Sequence, residues 1–153
     1  MNVDIREARE SDLEMLLPLY RQLGMDNGEV LPLVEAQRIY RRMGDYPDYR
    51  LYCALYEGDI IGVFAILIMD NMGHMGKPSA VMEDVIVGRK WRGRGIGGQM
   101  VAYAMERCRE KNCYKLSLSS NTNRRDAHRF YEKLGFNRHG YSFALFFEDK
   151  KAF

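Results

Sequence analysis

Residues 81–98 read VMEDVIVGRKWRGRGIGG, and the rest of the chain is organised around this stretch. Val81 to Val87 is rich in β-branched residues and reads as a strand. A basic, glycine-rich turn follows, and a helical pattern runs from about Gly95 to Glu110. The turn packs four cations (Arg89, Lys90, Arg92, Arg94) and four glycines (Gly93, Gly95, Gly97, Gly98) into ten residues. Glycines let a ligand approach the backbone and expose consecutive N–H groups. The start of a helix adds positive partial charge, and arginines neutralise phosphate oxygens. A tight turn with solvated basic residues is the plainer alternative.

Two familiar phosphate motifs fail here. Gly93, Gly95 and Gly98 satisfy G-x-G-x-x-G, but no acidic residue stands near Leu116 to Ser119, about 20 positions on, where a dinucleotide fingerprint needs one. Five residues separate the strand end from the first glycine, and two helices and a hairpin precede the strand. No G-K-[ST] follows, which excludes a Walker loop.

Working outward, VDIREA alternates as a short strand, and Ser11-Asp12 opens a helix through Leu13, Leu16, Leu17, Tyr20 and Leu23, stopped by Gly24. A second helix is expected from Leu33 to Met43. RLYCALYE and IIGVFAILIM flank Glu57-Gly58-Asp59 as a β-hairpin. Beyond the central stretch come a strand over Tyr114 to Ser119, a helix over Asp126 to Leu134 and a last strand near Tyr141 to Phe147. Strand, turn, helix and strand over Val81 to Ser119 make a right-handed crossover, whereas the hairpin before it is antiparallel.

Arg92-x-x-Gly95-x-Gly97 has the form [QR]-x-x-G-x-[GA]. With VMEDVIV before it and DAHRFYEKLGF, residues 126–136, after it, the chain resembles the GCN5-related N-acetyltransferases (GNAT). That resemblance implies a mixed α/β (α+β) fold: a mainly antiparallel twisted sheet of about six or seven strands with a central parallel splayed pair, flanked by about four helices. It implies one acetyltransferase domain over residues 1–153 and acetyl-CoA as co-substrate. Arg92, Gly93, Arg94, Gly95, Ile96, Gly97 and Gly98 would bind the pyrophosphate, and the backbone of Val85, Ile86 and Val87 would line the pantetheine arm. The family's usual asparagine seven residues before its tyrosine is replaced by Arg124, with Asn121 and Asn123 nearby. Asn123 followed by Asp126 reads as a helix cap.

Strand alternation places Val81, Glu83, Val85 and Val87 on one face and Met82, Asp84 and Ile86 on the other. A carboxylate in an apolar strand needs a partner or an open cleft. For Asp84 an ion pair with an arginine is expected. Glu83 resembles the family's glutamate that takes a proton from the acceptor amine, since an alkylammonium must be deprotonated before it attacks a thioester. Tyr131 lies on the helical stripe Ala127, Phe130, Tyr131, Leu134, which suits a core role. The resemblance instead makes it the acid that protonates the leaving thiolate, its ordinary pKa near 10 lying above a thiol's roughly 8.5.

At 153 residues, 46% hydrophobic and 29% charged, the chain suits one domain with its own core. A net charge of +2 gives no general reason to expect nucleic acid. The longest apolar run, Ile60 to Met69, is too short to span a membrane. A charged N-terminus and three cysteines without metal or disulfide spacing point to the cytoplasm, and the scattered His74, His128 and His139 predict no metal site. Cys108 reads as packed and Trp91 as a loop anchor.

The acceptor expected is a small-molecule primary amine. The RxDAHRFY segment resembles the aminoalkylphosphonate N-acetyltransferase branch, with His74 where that branch has more histidines. Asp26, Glu29 and Asp70 suit either a cationic amine or plain solvation. An acetyl-CoA-binding sensor and a protein N-terminal or lysine acetyltransferase are the alternatives. Apolar residues in YSFALFF, 141–147, would permit a homodimer.

Overall fold

The computed structural model describes residues 1–24 and 26–147, without the side chain of Asp26. The chain forms two units, 1–117 and 118–153. In the first, β1 (Asp4–Glu7), β2 (Tyr49–Tyr56), β3 (Asp59–Met69), β4 (Ser79–Val87) and β5 (Lys115–Ser117) lie side by side in that order. Every neighbouring pair is antiparallel except β4 and β5, which are parallel. The helices are α1 (Leu13–Tyr20), α2 (Leu33–Gly44) and α3 (Ile96–Glu110).

The hairpin closes through Glu57 at φ 50° and Gly58 at φ 89°. A two-residue turn with both φ values positive matches the right-handed twist of the strands it joins. One face of the sheet carries Leu51, Cys53, Val63, Ala65 and Ile86, packed with Leu13, Leu16, Leu19 and Ala36 of the first two helices. Alternation sends Phe64 to the other face, where Tyr52 stacks on it at 5.3 Å and Tyr103 of α3 meets it edge-on at 6.3 Å. At Gly62 the layers come so close that a Cβ would lie 3.0 Å from the Met100 sulfur and 3.1 Å from the Ile86 carbonyl oxygen.

The entry to α1 is held by a nearly buried carboxylate. Asp12, 5% exposed, accepts from the Arg9 N–H at 2.7 Å and from both terminal nitrogens of Arg6 at 2.7 and 3.1 Å. The Arg6 hydrogen bonds hold its carboxyl below the usual carboxylate range, against the opposing effect of burial.

In the second unit α4 spans Arg125–Lys133 and ends at Gly135, whose φ is 93°. Arg124 occupies its N-cap with no side-chain cap. The expected cap from Asn123 is replaced by an Asx turn, in which the Asn121 Oδ1 accepts from the Asn123 N–H at 2.9 Å. The last expected strand is also corrected: 141–147 forms no strand, and Tyr141, Phe143 and Phe147 are almost fully exposed. Alternating β-branched and aromatic residues supply propensity, but a strand exists only through a ladder. The sheet therefore has five strands among the described residues, and its parallel pair lies at one side. No helix among those residues is long and apolar enough to cross a membrane.

Candidate active site

The central stretch folds as read, from strand through turn to helix. After β4, Arg89–Trp91 makes one 3-10 turn, and Arg92 to Gly95 lead into α3. Gly93 and Gly95 have φ of 75° and 79°, the left-handed region that favours glycine. Gly95 is the N-cap of α3, so no side chain occupies that end of the helix, and no acidic residue lies in the first turn. The helical ladder begins with the Gln99 N–H donating to the Gly95 carbonyl at 3.2 Å. The N–H groups of Ile96, Gly97 and Gly98 thus precede the first intrahelical bond and face outward as donors. A Cβ at Gly93, Gly95 or Gly98 would meet nothing within 4 Å, so the space over the loop is open.

The cations are arranged by their neighbours. The Arg92 Nε donates to the Val87 carbonyl at 3.1 Å, which ties the loop to the end of β4. Arg94 lies over the Trp91 ring at 5.1 Å, and Trp91 packs on Tyr56 at 5.4 Å, which bears out its role as anchor. The Arg89 N–H is held by the Gln22 side chain at 2.9 Å. Uncapped donors and two positioned arginines make this helix mouth suited to a phosphorylated ligand.

Toward the loop, β4 outruns its pairing with β5. Their ladder covers only Ser79, Ala80 and Val81 of β4, opposite Lys115, Leu116 and Ser117. From Met82 to Val87 the strand runs on beyond it. Val85, Ile86 and Val87 lie in this part, with the Ile86 side chain buried in the core.

The alternation expected along β4 is broken by a bulge. Ala65 pairs with Glu83 and Val63 with Ile86, so the single residue Phe64 faces both Asp84 and Val85, and Asp84 has φ 50°. One extra residue reverses the face of everything beyond it. Glu83 consequently shares the α1 and α2 face with Ala65 and Ile86. Asp84 lines a cavity on that face with Ala65. The two carboxylates do not lie on opposite faces, and neither pairs with a cation among the described residues, in contrast to the arginine pair expected for Asp84.

That cavity has a volume of about 320 Å³. Its polar groups are the phenols of Tyr20, Tyr40 and Tyr49 and the carboxylates of Glu29 and Asp84. Asp84 keeps an open side, yet partial burial raises its pKa. Burial pushes the Tyr20 phenol far up, helped by the negative charge of Asp84. Tyr49 is raised by burial and then by Glu83 and Asp84. A small space with apolar walls and uncompensated carboxylates can hold an ammonium group and accept a proton from it.

In the second unit Tyr131 is half-buried between Phe130 at 5.0 Å and Phe136 at 5.7 Å. Burial raises its pKa while Arg124 opposes the rise, so the phenol is protonated at neutral pH. Two of the three histidines have structural contacts: His74 stacks on Tyr114 at 3.8 Å, and the His128 Nε2 lies 2.9 Å from the Asn121 carbonyl oxygen. Cys108 is buried as read, its thiol pushed up to about 12 by burial.

Sequence reasoning missed Tyr20 and Tyr49 as cavity residues and assigned Asp84 a different role. Two adjacent carboxylates, Glu83 and Asp84, in an otherwise apolar strand were the one available sign of an irregularity.

Residues 14–136 match the acetyltransferase (GNAT) family, and the chain belongs to that family, whose members are acyltransferases. Over 144 residues it is 33% identical to a glucosamine 6-phosphate N-acetyltransferase of Trypanosoma brucei brucei, covering 91% of this chain and 92% of that protein. An aminoalkylphosphonate N-acetyltransferase of Salmonella typhimurium is 34% identical over 95 residues, 62% of this chain and 60% of that protein. A solved structure described as a transcriptional regulator from Bacillus halodurans C-125 matches with TM-score 0.88 at 31% identity, over 95% of this chain and 100% of that one. The resemblance on the glycine loop and its flanks is thereby borne out, as is the fold class. The aminoalkylphosphonate enzyme stands beside the glucosamine 6-phosphate enzyme at similar identity, so its branch is not singled out.

Proposed function

We propose that this chain is an acetyl-CoA-dependent N-acetyltransferase, a single catalytic domain that acetylates a primary amine of a small molecule. One juxtaposition carries this reading: β4 ends at an uncapped, arginine-flanked helix mouth and, three residues earlier, carries a bulge with two unneutralised carboxylates beside a cavity. The loop donors of Gly93 to Gly98, with Arg92 and Arg94, hold the pyrophosphate. The backbone of Val85, Ile86 and Val87, beyond the β5 ladder, offers hydrogen-bonding groups to the pantetheine arm. The acceptor occupies the cavity, whose volume, at the low end of the roughly 300–1,000 Å³ of ligand pockets, suits a small molecule over a polypeptide.

Glu83 is the general base. It takes a proton from the ammonium, directly or through water, and the freed nitrogen attacks the thioester carbonyl as the C–N bond forms. The C–S bond then breaks, and the Tyr131 phenol protonates the departing thiolate. A raised phenol pKa keeps Tyr131 protonated at neutral pH, so it is available as a hydrogen-bond and proton donor as the thiolate departs. Three free cysteines, two of them buried, fit a reducing, cytoplasmic setting.

The test is thiol release from acetyl-CoA by the purified chain with a panel of primary amines, alongside calorimetric titration of acetyl-CoA. Amine-dependent release is expected. Tight acetyl-CoA binding with no turnover of any amine would make the chain a sensor and overturn the enzymatic reading.

A further inference from the structure

We infer that the acceptor is a hydrophobic amine carrying no phosphate, seated in the cavity beneath α1 and α2 with its ammonium group against Asp84. This rests on the acetyltransferase reading and narrows it to a substrate class.

The cavity walls are aliphatic, with Leu17, Leu23, Leu31, Ile39 and Met43 among them. Among the described residues that line it there is no lysine, arginine or histidine. Of its phenols, Tyr40 is already committed, donating to the Ala8 carbonyl at 2.7 Å. The charged groups present are all anionic: Asp84 and Glu29 in the lining, with Glu83 close enough to raise the Tyr49 phenol. A smaller depression shares Tyr40, Met43, Tyr49 and Leu51 and does contain Arg41 and Arg50. Both guanidinium groups are engaged. Arg41 is bound to Glu10 at 2.6 and 3.0 Å, and Arg50 donates to the Tyr46 and Tyr49 carbonyls and lies 3.5 Å from Glu7.

Two of the relatives are named for amines that carry phosphate or phosphonate. Such a dianion would enter an apolar space facing two carboxylates with no counter-cation, which opposes binding by like-charge repulsion and uncompensated desolvation. A hydrophobic monocation has the opposite balance. Its apolar body replaces water against aliphatic walls, and its ammonium supplies the cation that Asp84 lacks. The bulge suits the task, because it turns Asp84 toward the cavity.

The experiment compares initial rates of acetyl-CoA-dependent thiol release for hexylamine and phenethylamine with those for glucosamine 6-phosphate and 2-aminoethylphosphonate. The apolar amines are expected to exceed the phosphorylated ones by at least about 100-fold in kcat/KM. D84N, whose asparagine tolerates positive φ, is expected to raise KM for phenethylamine at least about tenfold and to leave the calorimetric Kd of acetyl-CoA unchanged.

Equal or better turnover of a phosphorylated amine would overturn the substrate class and leave the acetyltransferase reading standing. No turnover of any amine by a chain that binds acetyl-CoA would overturn both. An unchanged amine KM in D84N, with an unaltered thermal midpoint, would remove the ammonium from Asp84. Should D84N fail to fold, the wild-type panel still decides the substrate class.

Discussion

Gly95→Ala and Gly58→Ala form a matched pair that separates a phosphate cradle from a tight turn. Gly95 lies at φ 79° at the mouth of α3, Gly58 lies at φ 89° in the β2–β3 turn, and a Cβ at either meets nothing within 4 Å. Neither substitution adds a clash, so each costs only the left-handed backbone of a non-glycine residue, about 1–2 kcal/mol. For a chain of this size that corresponds to a fall in Tm of roughly 2–8 °C, at about 2–4 °C per kcal/mol. The two differ in what the methyl group faces. At Gly58 it enters solvent beside a hairpin. At Gly95 it stands beside the free N–H groups of Ile96, Gly97 and Gly98, where a phosphate oxygen would approach. Loss of one hydrogen bond to a charged oxygen is worth about 1.5–3 kcal/mol, or roughly 10- to 100-fold in Kd. Thermal unfolding and calorimetric titration with acetyl-CoA read both effects. Similar losses of stability are expected, with weakened binding confined to Gly95→Ala. Wild-type affinity in Gly95→Ala would refute the cradle, and an undiminished Tm in both would refute the backbone argument.

Tyr131→Phe removes the proposed acid and is expected to lower kcat by about 100-fold or more while acetyl-CoA binds as before; unchanged turnover would dispose of the assignment. Glu83→Gln should flatten the alkaline rise of the pH–rate profile, and a profile identical to wild type would argue against the base. Asp12→Ala breaks a nearly buried pair whose arginine is 29% exposed, so a loss of about 2–3 kcal/mol in urea unfolding is expected, below the 3–5 of a fully buried pair. Because the Asp12 pKa is lowered in the folded chain, its contribution is complete above the ordinary carboxylate range and disappears as pH falls through the folded value. The gap between wild type and variant should therefore close below about pH 4, and a gap that persists there would contradict the linkage. Gly62→Ala drives a methyl to 3.0 Å from the Met100 sulfur and 3.1 Å from the Ile86 carbonyl oxygen. The sulfur can move and the backbone cannot, so a cost of about 1–3 kcal/mol is expected, and wild-type stability would refute the close packing of α3.

Features that depend on neighbours in sequence were legible. The hairpin turn, the glycine-rich turn before α3 and the four α-helices follow from residue type and spacing, and the helix ends agree with the expected ones to within about three residues. Features decided by a distant partner were not. The extra residue at Asp84 is defined by Phe64 across the ladder, and alternation along VMEDVIV alone gives the opposite placement of the carboxylates. Tyr20 reads as core from its helical stripe, yet it also lines a cavity, because the turn and segment after α1 leave space beside it. At 141–147 the β propensity is plain, but propensity carries no information about whether a partner edge is present.

The bulge in β4 has an implication for how such a site can change over time. It works as a phase shift: the ladder keeps its buried residues on both sides of residue 84, while the inserted position is released from the demands of packing. Substitutions there can retune the cavity's charge without disturbing Met82 or Ile86, both 2% exposed. Deleting the residue would restore a regular ladder and keep the strand whole, but would erase the inserted position through which Asp84 lines the cavity.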